Sequence, residues 1–248
     1  MFPEIPVFDS QASVASIVKR NYRTAVVFRK YQIDYCCGGN GPLEMACLNR
    51  GLDFESVKKE LEEAARTVQL PPSPDYRSWS TDFLVSYISN IHHRFLKNSL
   101  PGIGEVLVAF AGAHQQQYPW MTGVCGHFRQ LEQEIEPQMR YEEEILFSYI
   151  LQIAHARENR DSFAKLFVKT LRKPIEVFMK RQEEILCGLL YKIRLLTNGY
   201  LLPERSCVSH IVAINQLRDL DNDLMQHMYL ENEVLLPRAL RIESELLN

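Results

Sequence analysis

The sequence of 248 residues has no long apolar run, no Cys-x-x-Cys pair and no surplus of charge of one sign. Its longest apolar stretch near a membrane length, Val106 to Ala113, falls far short of the roughly 20 residues that a spanning helix needs, so no membrane is expected as a partner. The opening residues, Met1 to Ser10, show no basic region followed by an apolar segment. No signal peptide is therefore expected, and the chain reads as cytoplasmic. A net charge of -3 with the two signs interspersed argues against nucleic acid as a partner. Six cysteines without paired spacing fit neither a disulfide scaffold nor a zinc ribbon. No segment alternates as a strand would, which points to an all-α chain.

Against these absences stands a pattern that occurs twice. Near the end the chain reads His227-Met228-Tyr229-Leu230-Glu231-Asn232-Glu233-Val234-Leu235-Leu236, and earlier Gln138-Met139-Arg140-Tyr141-Glu142-Glu143-Glu144-Ile145-Leu146-Phe147. On a helix, residues four apart lie one above the other, so His227 and Glu231 can share one small ligand. Imidazole plus carboxylate, backed by an apolar stripe, suits an iron or zinc ion inside a helical bundle. The first copy carries Gln138 where the second carries His227.

Taken in order, residues 1–69 read as a small helical domain. Helical spacing runs over Ser13 to Arg20 and Arg23 to Tyr31, and again from Asp53, a plausible N-cap, to Thr67. Between them lies Tyr35-Cys36-Cys37-Gly38-Gly39-Asn40-Gly41, a glycine-rich turn that would expose two adjacent thiols. Adjacent cysteines bridge to each other only with strain, leaving metal or cluster ligation and reversible redox chemistry as the active options for Cys36 and Cys37. Residues 70–78, with Pro71, Pro72 and Pro74, read as a linker. Residues 79–248 then read as four long helices in an up-down-up-down bundle. The first starts at Ser80-Thr81-Asp82, is interrupted by Pro101-Gly102-Ile103-Gly104, and resumes to about Gln117. The second runs from about Val124 to His155 with a kink at Pro137, the third from about Asp161 to Leu196, and the fourth from about Glu204 to Leu247.

No histidine has a glutamate three residues before it, so the Glu-x-x-His signature of ferritin-type iron sites is missing. Phe28-Arg29-Lys30-Tyr31-Gln32-Ile33-Asp34-Tyr35-Cys36-Cys37-Gly38-Gly39 instead resembles the opening motif of the RIC family, the di-iron proteins for repair of iron–sulfur clusters. Both copies of the repeat, the second extended by Pro237-Arg238-Ala239-Leu240, resemble that family's hemerythrin-like half. The resemblance covers nearly the whole chain. It implies four histidines and two bridging glutamates around two irons. By position these fall on His93, His227, Glu142 and Glu231, with Gln138 and Gln182 where two further imidazoles are expected. No histidine lies between Ala156 and Ser209 to replace Gln182. Gln offers only an uncharged amide oxygen, a poor transition-metal ligand beside imidazole. The stripe Leu84, Ile88, Ile91 and Phe95 places His92 nearer the core, whereas Leu96 and Leu100 place His93 inward; the resemblance favours His93, with His92 the alternative. His114 matches a further family histidine. His127, His155 and His210 read as ordinary histidines, and Cys47, Cys125, Cys187 and Cys207 as buried free thiols.

Two functions follow. The first is an iron-binding stress-response protein of the repair type. It would act on iron–sulfur proteins damaged by nitric oxide or oxidants, with Cys36 and Cys37 engaging the damaged cluster and one half of the di-iron site degraded. The second is a divergent hemerythrin-like binding or regulatory protein with one metal ion or none, lacking repair activity. One iron is expected rather than two, and a homodimer is left open.

Overall fold

A computed structural model describes residues 8–35, 39–65 and 75–248, apart from the side chains of Met179, Gln182 and Glu183. The regular secondary structure of the described residues is helical, with one isolated bridge between Ser13 and Pro42 and no strand. No described helix is long and apolar enough to cross a membrane. Contacts divide the chain into two compact units, residues 1–73 with 200–218, and residues 74–199 with 219–248.

In the first unit α1 (Val14–Arg20) begins at Ser13, whose side chain accepts from the Ser16 amide and satisfies one orphan donor of the first turn. Helices α2 (Ala25–Lys30), α3 (Leu43–Leu48) and α4 (Phe54–Ala65) follow. Asp53 caps α4 by accepting from the Ser56 amide at 2.9 Å, as its position predicts. The short α3 has no strong periodic signal and is an addition to the expected helices. Val14, Val18, Phe28, Leu43, Val57 and Leu61 are fully buried in this unit. The Ala15 amide donates to Gly39 O at 2.8 Å, anchoring the end of the glycine-rich turn on α1. A Cβ at Gly39 would stand 2.7 Å from the Tyr35 carbonyl, a backbone approach that only glycine allows. Cys36, Cys37 and Gly38, and the prolines of the expected linker, lie outside the described residues.

The second unit contains helix α5 (residues 81–113), α6 (121–158), α7 (Ala164–Leu171), α8 (175–196) and the larger part of α9 (208–247). The start of α5 packs on the end of α6, the start of α6 on the end of α8, and the start of α8 on the end of α9. That order is an up-down-up-down bundle. Its core is apolar at helical spacing: Leu84, Ile88, Phe147, Ile150, Ile153, Leu235 and Ile242 are buried together.

Three expectations about these helices are corrected. Pro101 does not interrupt the first long helix, which continues from Arg94 to Ala113. Proline deletes one backbone donor, while Leu96, Leu100, Ile103 and Leu107 on either side are buried and hold the helix in line. The segment expected as one helix from Asp161 to Leu196 is two, because Arg172-Lys173-Pro174 separates α7 from α8. The last helix starts at Val208 rather than Glu204, after the positive-φ pair Asn198-Gly199 has ended α8.

Candidate metal centre

Each of the four long helices contains one π-helical turn: Ile88–His93 in α5, Glu142–Leu146 in α6, Glu183–Cys187 in α8 and Leu230–Leu235 in α9. A π-turn inserts one residue and shifts the helical phase, so two consecutive side chains can both face inward. It does so at His92 and His93, of which 1% and 0% is exposed. The two conflicting apolar stripes of the sequence are the two phases of this helix. Leu84 before the turn, Ile88 at its first residue, and Leu96 and Leu100 after it are buried, whereas Ile91 is 49% exposed.

His93, Glu142, His227 and Glu231 are all buried, and one ligand atom from each lies within 4.8 Å of the other three. His93 Nε2 is 3.2 Å from His227 Nε2 and 3.1 Å from Glu142 Oε2, and His227 Nε2 is 3.2 Å from Glu231 Oε1. The second α5 imidazole, His92, is not one of the four. Its Nδ1 meets Asp223 Oδ1 at 2.9 Å, its ring stacks on His227, and its Nε2 has no hydrogen bond among the described residues.

The charges explain what this cluster needs. Burial, and then the neighbouring Glu231 carboxylate, push the Glu142 carboxyl above the usual range. For His227 burial works downward, but Glu231 and Glu142 override it and hold the imidazole up to about 9. Glu142 Oε2 makes no aligned hydrogen bond despite its short distance to His93. Two imidazoles and two carboxylates therefore converge in an apolar core, where bare anions are costly and a shared cation is the natural remedy. The donor set fits a transition-metal ion such as iron.

Gln138, one turn before Glu142, donates its amide N–H to Glu142 Oε1 at 2.9 Å. A carboxylate oxygen only accepts, so the amide nitrogen faces Glu142, and the interaction seen is a hydrogen bond. The Gln182 side chain lies outside the described residues, so the third helix adds no described ligand. His114 ends α5, its Nδ1 3.2 Å from Phe110 O, and His155 pairs with Asp82 in the open at 2.8 Å. The other four cysteines form no disulfide among the described residues; Cys47 is buried, whereas Cys125, Cys187 and Cys207 are half-buried rather than fully enclosed. Burial pushes the Cys47 and Cys125 thiols up, away from thiolate reactivity.

Sequence reasoning missed Glu143 and Asp223. Glu143 Oε1 lies 2.8 Å from His93 Nδ1, and Lys97 Nζ lies 2.8 Å from both Glu143 oxygens. Neither carries a signal along the sequence, because each meets its histidine across two helices.

Fold and site together define a hemerythrin-like bundle with four buried His and Glu donors that could hold a metal ion. The hemerythrin HHE cation binding domain matches residues 90–239, and a domain of unknown function (DUF542) matches residues 10–65. The iron-sulfur cluster repair protein YtfE of Enterobacter sp. (strain 638) is 30% identical over 218 residues, covering 88% of this chain and 91% of that protein. Its counterpart from Citrobacter koseri is 31% identical over 221 residues, with the same coverage. The chain belongs to this family, the RIC family, as a divergent member.

Proposed function

We propose that this protein is an iron-binding member of the iron–sulfur cluster repair type with one complete half-site. His93, Glu142, His227 and Glu231 would hold one iron, and damaged iron–sulfur proteins are its partners. The observation that carries the reading is the convergence of four buried donors from three helices within 4.8 Å. When bound, iron supplies redox and Lewis-acid chemistry in an enclosed, apolar setting. The protein's own part is to hold the two imidazoles and two carboxylates in register and keep bulk water out. Cys36 and Cys37, on the glycine-rich turn of the other unit, are proposed to engage the damaged cluster. The names of the relatives support the substrate class.

A second reading is favoured by Gln138. It turns towards Glu142 an amide nitrogen, which has no lone pair to give a metal. A protein with one ion or none, acting in binding or regulation, would need no more. Incubation of the iron-loaded protein with an iron–sulfur enzyme damaged by nitric oxide separates the two. Recovery of that enzyme's activity supports repair, and no recovery above a metal-only control leaves the second reading.

A further inference from the structure

Position 143 follows the site glutamate of the first repeat copy, and position 232 is its counterpart in the second. The two carry different groups. Glu143 is a carboxylate bonded at 2.8 Å to His93 Nδ1. Asn232 is a neutral amide whose Oδ1 makes no hydrogen bond among the described residues. Lys97 grips both Glu143 oxygens. An ammonium held against both oxygens marks the group as a carboxylate. An ionised carboxylate only accepts, so the proton of the contact sits on His93 Nδ1. That leaves Nε2, the atom facing His227 and Glu142, with its lone pair directed into the cluster.

We propose that Glu143 is a positioning residue for the metal centre: held by Lys97, it fixes the His93 ring in the Nδ1–H tautomer and aims Nε2 at the cation. The inference rests on the reading of the site as a metal centre. A carboxylate behind a metal-bound imidazole sets ring orientation and raises ligand basicity, and its loss typically weakens metal binding about 10- to 100-fold. Glu143 and Lys97 also line a groove of about 490 Å³ between α5 and α6, with Leu96, Met139 and Arg140. The carboxylate is therefore 31% exposed, and its replacement opens no hole in the core.

The test uses the full-length protein and the variants Glu143→Ala, Glu143→Gln and Lys97→Met, with Co²⁺ as the metal probe. Nitrogen NMR of the histidine rings in metal-free protein reads the His93 tautomer directly. Wild type is expected to show a single Nδ1–H form for His93. Glu143→Ala should lose it and bind Co²⁺ about 10- to 100-fold more weakly, with helicity unchanged. Glu143→Gln, which retains an acceptor oxygen, should keep the tautomer and lose less affinity, and Lys97→Met should lose least. An unchanged tautomer and unchanged affinity in Glu143→Ala would overturn the proposal. If that variant does not fold, the affinity of Glu143→Gln decides: weaker Co²⁺ binding than wild type supports the assignment, and wild-type affinity overturns it. Wild-type protein that binds no Co²⁺ would sink the metal-centre reading instead, while the NMR arm would still decide the role of Glu143.

Discussion

The two copies of the repeat share a scaffold and differ in one donor. Both place a fully buried glutamate at the start of a π-turn or one residue into it, Glu142 in α6 and Glu231 in α9. One turn earlier, His227 sets an imidazole nitrogen 3.2 Å from Glu231, and Gln138 sets an amide nitrogen 2.9 Å from Glu142. Both arrangements put a nitrogen beside a buried carboxyl group. Only the imidazole can also exchange its proton for a metal, because deprotonation frees a lone pair that the amide nitrogen does not have. The same π-turned backbone thus carries a metal-competent donor in one copy and an amide in the other.

Removing the distinctive donor should break the comparison most severely. His227→Ala would leave Glu142 and Glu231 facing each other without a cation. Its expected cost is about 3–5 kcal/mol of stability by denaturant titration, together with loss of bound metal. Gln138→Ala removes one hydrogen bond to a charged group, so about 1.5–3 kcal/mol and retained metal are expected. Equal effects of the two changes on metal content would refute the asymmetry.

The same contrast has a pH signature in metal-free protein. His227 is held up to about 9, above its ordinary 6.5, so its contribution is complete below 6.5 and is lost as pH rises through about 9. The raised Glu142 carboxyl acts in the same direction. Denaturation of metal-free protein should therefore show stability falling between about pH 6.5 and 9, by about 3 kcal/mol from His227 alone. Metal uptake expels the same proton, so metal affinity should rise over that range. A flat stability profile with pH-independent affinity would contradict this account.

Restoring the donors should erase the difference. Gln138→His with Gln182→His is expected to raise metal content from about one ion per chain to two, with either single change doing much less. Metal analysis reads the outcome, and an unchanged content would mean that packing around the glutamines has refilled the pocket. The smallest effect on the bundle belongs to Cys36→Ser with Cys37→Ser. Helicity by circular dichroism and metal content should stay at wild-type values while repair activity disappears. Full activity would reduce the pair to turn residues.

Much of the architecture was legible because it depends on period and composition. Leu84, Ile88, Phe147 and Leu235 recur at helical spacing, and Ser13, Asp53 and Ser80 stand where caps belong. Pro101 misled because a single proline is tolerated when buried neighbours on both sides fix the helix. Pro174 was overlooked although it ends a weaker apolar run. The α5 histidines were ambiguous for a physical reason. Period analysis assumes 3.6 residues per turn, and the π-turn at Ile88–His93 adds a residue, so both phases are correct on their own side of it. The same shift concealed Glu143. Its role depends on a lysine on another helix, a relation that spacing along one helix cannot show.

The central claim is one complete half-site beside a broken one, and the metal content of protein purified without chelator tests it most directly. After anaerobic loading with ferrous iron and removal of the excess, the account predicts about one iron per chain, lost in His227→Ala and kept in Gln138→Ala. Two irons about 3.5–4 Å apart, with Gln138 and Gln182 both coordinating, or no iron at all after loading, would contradict it.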